Sequence, residues 1–154
     1  MKKSVKTVEV FNAYNILSTA KFDKLTDTIK VSVWKIARKL KPVAQEFGDT
    51  SRDCAEKMQP TEDFPERLRR WQKYNQLKED GKPTIDVMST AEHDAFSQEF
   101  QKYNKLVNEA MKESAEKEVE LDFEPISEDG LMKLAESNEW TLGQIVAVGD
   151  LICE

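Results

Sequence analysis

The sequence predicts a mainly α-helical fold: a helical bundle built on two long antiparallel helices, with a minor two-stranded β pairing. Three observations carry this expectation. Apolar residues recur in steps of three and four over two long stretches, residues 29–58 and 96–110. Only five Gly and five Pro occur in 154 residues, few for a chain built on tight turns. Charged residues make up 34% against 39% hydrophobic, a balance suited to exposed helices rather than thick layers. A chain of this length folds as a single helical domain over residues 1–154 and buries roughly 70% of its unfolded surface.

The elements follow in order. A first helix is expected over residues 7–20, with Val8, Phe11, Ile16 and Leu17 available for burial. A short connection leads to the clearest feature, a heptad seam of Ile29, Val33, Ile36, Leu40, Val43 and Phe47, continued in phase by Cys54 and Met58. Asp27 is placed to cap this helix. Pro42 lies inside the seam, and because the apolar phase runs through it, one kinked helix is expected rather than two. Gly48, Asp49, Thr50 and Ser51 mark a second point where the helix could break.

Asp63, Phe64 and Pro65 open a third helix, with proline where its missing amide matters least. Leu68, Trp71, Tyr74 and Leu77 form its inner side. Residues 78–83 are a loop, and residues 85–88 alternate as a short strand. Ser89 with Glu92 has capping-box spacing ahead of a long helix, its seam Phe96, Phe100, Tyr103, Val107 and Ala110. Residues 119–123 alternate as a strand, for which residues 85–88 are the expected partner. Ser127 caps a helix running to about residue 138, and Thr141 with Gln144 opens a last apolar helix through Ile145, Val148 and Ile152.

Signatures of catalysis are missing from this pattern. The glycines are scattered singly, with no phosphate-binding loop. The sole histidine, His93, sits between Glu92 and Asp94 and reads as a solvated surface position. Cys54 and Cys153 match no metal or redox spacing and are expected as free thiols. No enzyme activity, cofactor or metal is therefore expected, and no catalytic residue is assigned. No apolar run is long enough for a membrane span. The basic start, residues 1–6, is followed by no apolar stretch of the kind a signal peptide carries.

Charge is the remaining signal. The net charge is −6, yet residues 1–42 hold ten Lys and Arg against three acids. The simplest reading sets a basic helix against an acidic one within the bundle. Two surfaces could instead serve a partner. Arg67, Arg69, Arg70 and Lys73 interleave with Trp71 and Tyr74, and Lys35, Arg38, Lys39 and Lys41 form a second basic surface; in both, the expectation is that the cations project outward. Residues 113–129 are densely acidic, including Glu116, Glu120, Asp122 and Glu124. Their alternation is that of a strand with its acids in water, not of a calcium loop. Trp34 lies off the seam and is expected as a second core contact, or else as a partner anchor. The candidate partner-binding residues are thus Trp34, Arg38, Arg67, Arg70, Glu116, Glu120, Asp122 and Glu124.

Residues 12–17 (Asn-Ala-Tyr-Asn-Ile-Leu), Lys24-Leu25, and residues 36–44 with their Leu40-Lys41-Pro42 step resemble a family of small helical proteins of bacteriophages and prophages. Residues 121–127 ahead of two short helices are similar to the ends of those proteins, while residues 60–115 have no counterpart. The resemblance implies a bacterial cytoplasm or virion association, and a protein partner, which includes a second copy of the chain. It transfers no site residue. The leading expectation is a non-enzymatic interaction protein, an assembly adaptor or structural accessory. The alternatives are an acidic inhibitor that imitates nucleic acid, or a nucleic-acid-binding accessory.

Overall fold

The structure, a computed structural model, describes all residues 1–154. In chain order it contains β1 (Lys2–Lys6), α1 (Thr7–Ser18), α2 (Asp27–Lys57), α3 (Phe64–Glu79), α4 (Thr90–Glu116), β2 (Glu118–Asp122), α5 (Glu128–Asn138) and α6 (Leu142–Ile152). The fold is mainly α with a small antiparallel sheet. Contacts divide it into two compact units, one of Met1–Ser51 and Lys112–Glu154, the other Arg52–Met111. The helices α2 and α4 contribute residues to both.

The first unit holds the aliphatic core. Val33, Ile36 and Leu40 of the seam are buried with Val10, Ala13 and Leu17 of α1, Leu131 and Leu134 of α5, and Val148, Leu151 and Ile152 of α6. On α1 the buried positions are Val10, Ala13 and Leu17; Val8, Phe11 and Ile16 are half-buried, so the helix turns its smaller residues inward. This lets α1 approach closely. Phe11 meets Phe47 edge to face at 5.0 Å, and a Cβ on Gly48 would stand 3.2 Å from the Phe11 ring. The helix α2 continues through residues 48–51, the second point at which the sequence allowed a break.

Thr26, rather than Asp27, caps α2: its hydroxyl accepts from the Ile29 amide at 3.4 Å and its carbonyl from the Lys30 amide at 3.0 Å. Asp27 is already helical and lies 4.0 Å from Lys30. The helix runs unbroken through Pro42, which faces solvent. The Arg38 carbonyl, deprived of its intrahelical donor by proline, belongs to an exposed residue that water can reach.

The strand β2 exists, but its partner is not residues 85–88. It pairs with β1 in antiparallel register, Lys2 opposite Asp122, Ser4 opposite Glu120 and Lys6 opposite Glu118. Residues 85–88 form a turn in which the Val87 and Met88 amides donate to the Thr84 carbonyl, and Ile85 is 80% exposed. The charge pattern favours the observed pairing, since each lysine of β1's outer face meets an acid across the ladder. Val5 and Leu121 point the other way, into the core. The N-terminal ammonium adds a bond to the Phe123 carbonyl at 3.0 Å. Basic and acidic segments therefore do meet, strand against strand rather than helix against helix.

The caps of the last two helices are as expected. Ser127 accepts from the Gly130 amide at 3.1 Å, and Thr141 and Gln144 close a reciprocal capping box. The C-terminus of α6 is held by Lys3, whose ammonium donates to the Asp150 and Leu151 carbonyls, a cation on the negative end of the helix dipole.

The second unit is aromatic. Phe64 at the start of α3 is buried among Phe96, Phe100 and Tyr103 of α4, with centroid separations from 4.7 to 6.5 Å. Trp71 packs on Phe100 and donates to the Ser97 hydroxyl at 2.8 Å. The seam of α4 ends on buried Met111 rather than on Ala110, which is exposed. A straight helix drifts from a strict 3.5 repeat in this way. Tyr103 donates to the Ala55 carbonyl of α2. Further along α4, Ser114 lies across a small cavity from Val43, Phe47 and Thr50.

Candidate interaction surface

The outer face of α2 is built by the same periodicity that builds its seam. Val31, Trp34 and Arg38 each stand two residues before a seam residue (Val33, Ile36, Leu40), about 160° away round the helix. Burying the seam therefore drives these three into water. Trp34 is 53% exposed and Val31 48%, which corrects the expectation that Trp34 is a core contact. The Arg38 guanidinium lies over the Trp34 ring, 4.8 Å from its centroid. Such a pair contributes about 0.5–1 kcal/mol at an exposed site and holds the indole in one orientation.

Cations surround this pair. Between residues 30 and 41 the sequence holds Lys30, Lys35, Arg38, Lys39 and Lys41 and no acid. Lys35, Arg38, Lys39 and Lys41 are exposed or nearly so and form no ion pair. Beside them is a cavity of about 280 Å³ with Ile36 and Phe123 in its wall and Ser32, Lys35, Lys39 and Glu124 around it. Both apolar wall residues are buried in the core. The cavity's second wall was not foreseen, because Phe123 is 87 positions from Ile36 in the chain.

The other basic stretch is differently placed. Arg67 does not project freely: its two terminal nitrogens reach the Glu99 carboxylate at 2.7 and 3.0 Å, and Nε lies 3.4 Å from Asp63. The hydrogen bonds that Arg67 donates to Glu99 raise the guanidinium's pKa above its ordinary value. The Thr61 hydroxyl, bonded to Asp63, holds that carboxyl below its usual range, and Arg67 adds to the effect. Arg70 donates twice to the Val87 carbonyl and lies 3.6 Å from Glu92. Both arginines are thus engaged in tying α3 to α4 and to the turn before it.

His93 is not a solvated residue either. It is stacked on Tyr74 at 4.1 Å, its Nε2 is 2.7 Å from the Asn75 side-chain oxygen, and its side chain is only 16% exposed. A helical wheel hides this, since the two rings that cover it come from α3. Cys54 and Cys153 are free, as expected. Burial pushes the Cys153 thiol up from its ordinary pKa.

Glu116, Glu120, Asp122 and Glu124 are all exposed. Asp122 faces Lys2 across the ladder and lies 3.3 Å from the N-terminal ammonium. No group of three His, Cys, Asp or Glu side chains converges as metal ligands, and no helix is long and apolar enough to cross a membrane. No protein family, characterised protein or solved structure matches this chain.

Proposed function

We propose that this chain is a non-enzymatic protein-interaction protein of phage or prophage setting, an assembly adaptor or structural accessory, that engages its partner through the Trp34 face of α2. The observation that carries this reading is an indole left in water after both heptad seams are satisfied, with Val31 beside it. A large aromatic is rarely spent on solvent, and tryptophan with arginine is the pairing most enriched at binding hot spots. Stacking on Arg38 orders the ring in advance, which reduces the entropy lost on binding. The phage setting rests on the resemblance of residues 12–17, 36–44 and 121–127.

The acidic-mimic reading is weaker. The strand that would imitate phosphates is faced by Lys2 and Lys6 of β1 and by the N-terminal ammonium. Nucleic-acid binding through Arg67 and Arg70 is weaker too, because their donors already have carboxylate and carbonyl partners.

The test is a nuclease-treated pull-down of the tagged chain from a bacterial host, compared with Trp34→Ala. One stoichiometric protein that is retained by the native chain and lost from the variant is the expected result. Retention of no protein, or equal retention by both, overturns the reading.

A further inference from the structure

We infer that the partner presents an acidic segment with an apolar side chain among its carboxylates, and that the cavity between α2 and Phe123 receives that side chain. This rests on the reading above and names the partner chemistry of the adjoining side of α2, where Lys35 and Lys39 lie between Trp34 and Ile36 round the helix. Three features converge on it. Between Lys30 and Lys41 the ridge carries no acid, and Lys35, Arg38, Lys39 and Lys41 form no ion pair within the chain; with Glu124 lining the cavity beside Lys35 and Lys39, the charge there remains predominantly positive. The apolar anchors Val31 and Trp34 lie one turn apart on that ridge. The cavity, about 280 Å³, is lined by Ile36 and Phe123 on its apolar side and by Lys35 and Lys39. A ligand that fits must bring negative charge and a greasy side chain together.

That combination separates the candidates. A nucleic-acid backbone supplies charge but nothing to fill the apolar wall, and its phosphates would meet the Glu124 carboxylate beside Lys35 and Lys39. A second copy of this chain offers β2, whose Glu118 and Asp122 already face Lys6 and Lys2 of their own β1. An acidic segment of another protein can point its carboxylates at Lys35, Arg38 and Lys39 and keep only a side chain near Glu124. Complementary charge also steers the encounter, so binding should weaken as salt rises.

The experiment places a photo-crosslinking residue, Ser32→p-benzoylphenylalanine, beside the cavity in the full chain, irradiates it in the bacterial host and sequences the adduct. The expected adduct is a peptide of one partner protein in which carboxylates flank an aliphatic residue. Its yield should fall about tenfold or more in Lys35→Glu/Lys39→Glu, as reversal of charges at a complementary interface does. Circular dichroism checks that this surface variant remains folded. A neutral or basic peptide, a nucleotide adduct, a peptide of this chain itself, no adduct, or a yield indifferent to charge reversal each overturns the inference. If Trp34→Ala still abolishes capture in those cases, the interaction role survives and only the acidic partner falls. If the native chain captures nothing, both fall.

Discussion

The side-chain amide of Asn138 closes on the backbone of Lys21 as a strand neighbour would, with Nδ2 donating to the Lys21 carbonyl at 2.9 Å and Oδ1 accepting from its amide at 2.5 Å. The same Nδ2 also reaches the Leu134 carbonyl at 2.8 Å. One residue at the end of α5 thus satisfies both main-chain groups of Lys21, in the connection between α1 and α2. Ser137 supports it by accepting from the Lys24 amide at 3.3 Å. Asn138→Ala removes three bonds and leaves the Lys21 groups to water, so a loss of about 1–3 kcal/mol is expected in urea denaturation. Asn138→Asp should be no better, since a carboxylate cannot donate to the two carbonyls. An aspartate variant as stable as the native chain would count against the clamp.

The two sides of α2 should respond very unequally to truncation. Leu40 is completely buried, and Leu40→Ala should cost about 2–5 kcal/mol through lost transfer energy and the cavity left behind. Trp34→Ala removes a far larger side chain from solvent and should cost no more than about 1 kcal/mol, the worth of its stack on Arg38. Thermal or chemical denaturation of the pair checks both values. A large loss for Trp34→Ala would show the indole to be structural, and would remove the basis for the proposed docking face.

Two glycines of α6 should separate in the same way. A Cβ on Gly143 meets nothing nearer than 3.9 Å, so Gly143→Ala should gain up to about 1 kcal/mol from helix propensity. A Cβ on Gly149 would stand 2.8 Å from Cδ2 of Leu131, a buried residue of α5. There the propensity gain is set against displacement of a packed side chain, and Gly149→Ala should be distinctly less stable than Gly143→Ala. Melting temperatures of the two variants give the comparison directly.

Cys153 and Cys54 should differ in reactivity. The thiolate is the nucleophile, and burial raises the Cys153 pKa, with Glu128 adding to the rise. Alkylation of the folded chain at pH 8, followed by mass spectrometry, should label half-buried Cys54 first. The same shift has a consequence for stability. A thiol whose folded pKa is raised contributes fully below the unfolded value, about 8.5, and that contribution is lost as pH rises through the folded value. Burial raises the Tyr103 phenol too, and its loss follows at higher pH. Denaturation midpoints should therefore fall above about pH 8.5, and fall less steeply in Cys153→Ala.

Much of this molecule is decided by local pattern. The seam from Ile29 to Leu40, the caps at Ser127 and Thr141, and the start of α3 at Phe64 and Pro65 follow from spacings within one or two helical turns, and so they were legible in the amino-acid order. The same period sets the outer face of α2, yet Trp34 was expected as a core contact, and only the folded chain shows that no segment covers it. What the order of residues does not contain is which distant segment covers a given surface. Nothing near residues 118–122 says that their partner is Lys2–Lys6, more than a hundred residues away, and nothing around His93 says that Tyr74 and Trp71 will stack on it. Arg67 likewise reads as an exposed cation until Glu99 is brought to it. Periodicity says which side of an element is apolar; only tertiary packing decides what lies against it. The burial of polar and aromatic groups is a property of two segments together, and only the folded chain brings both into view.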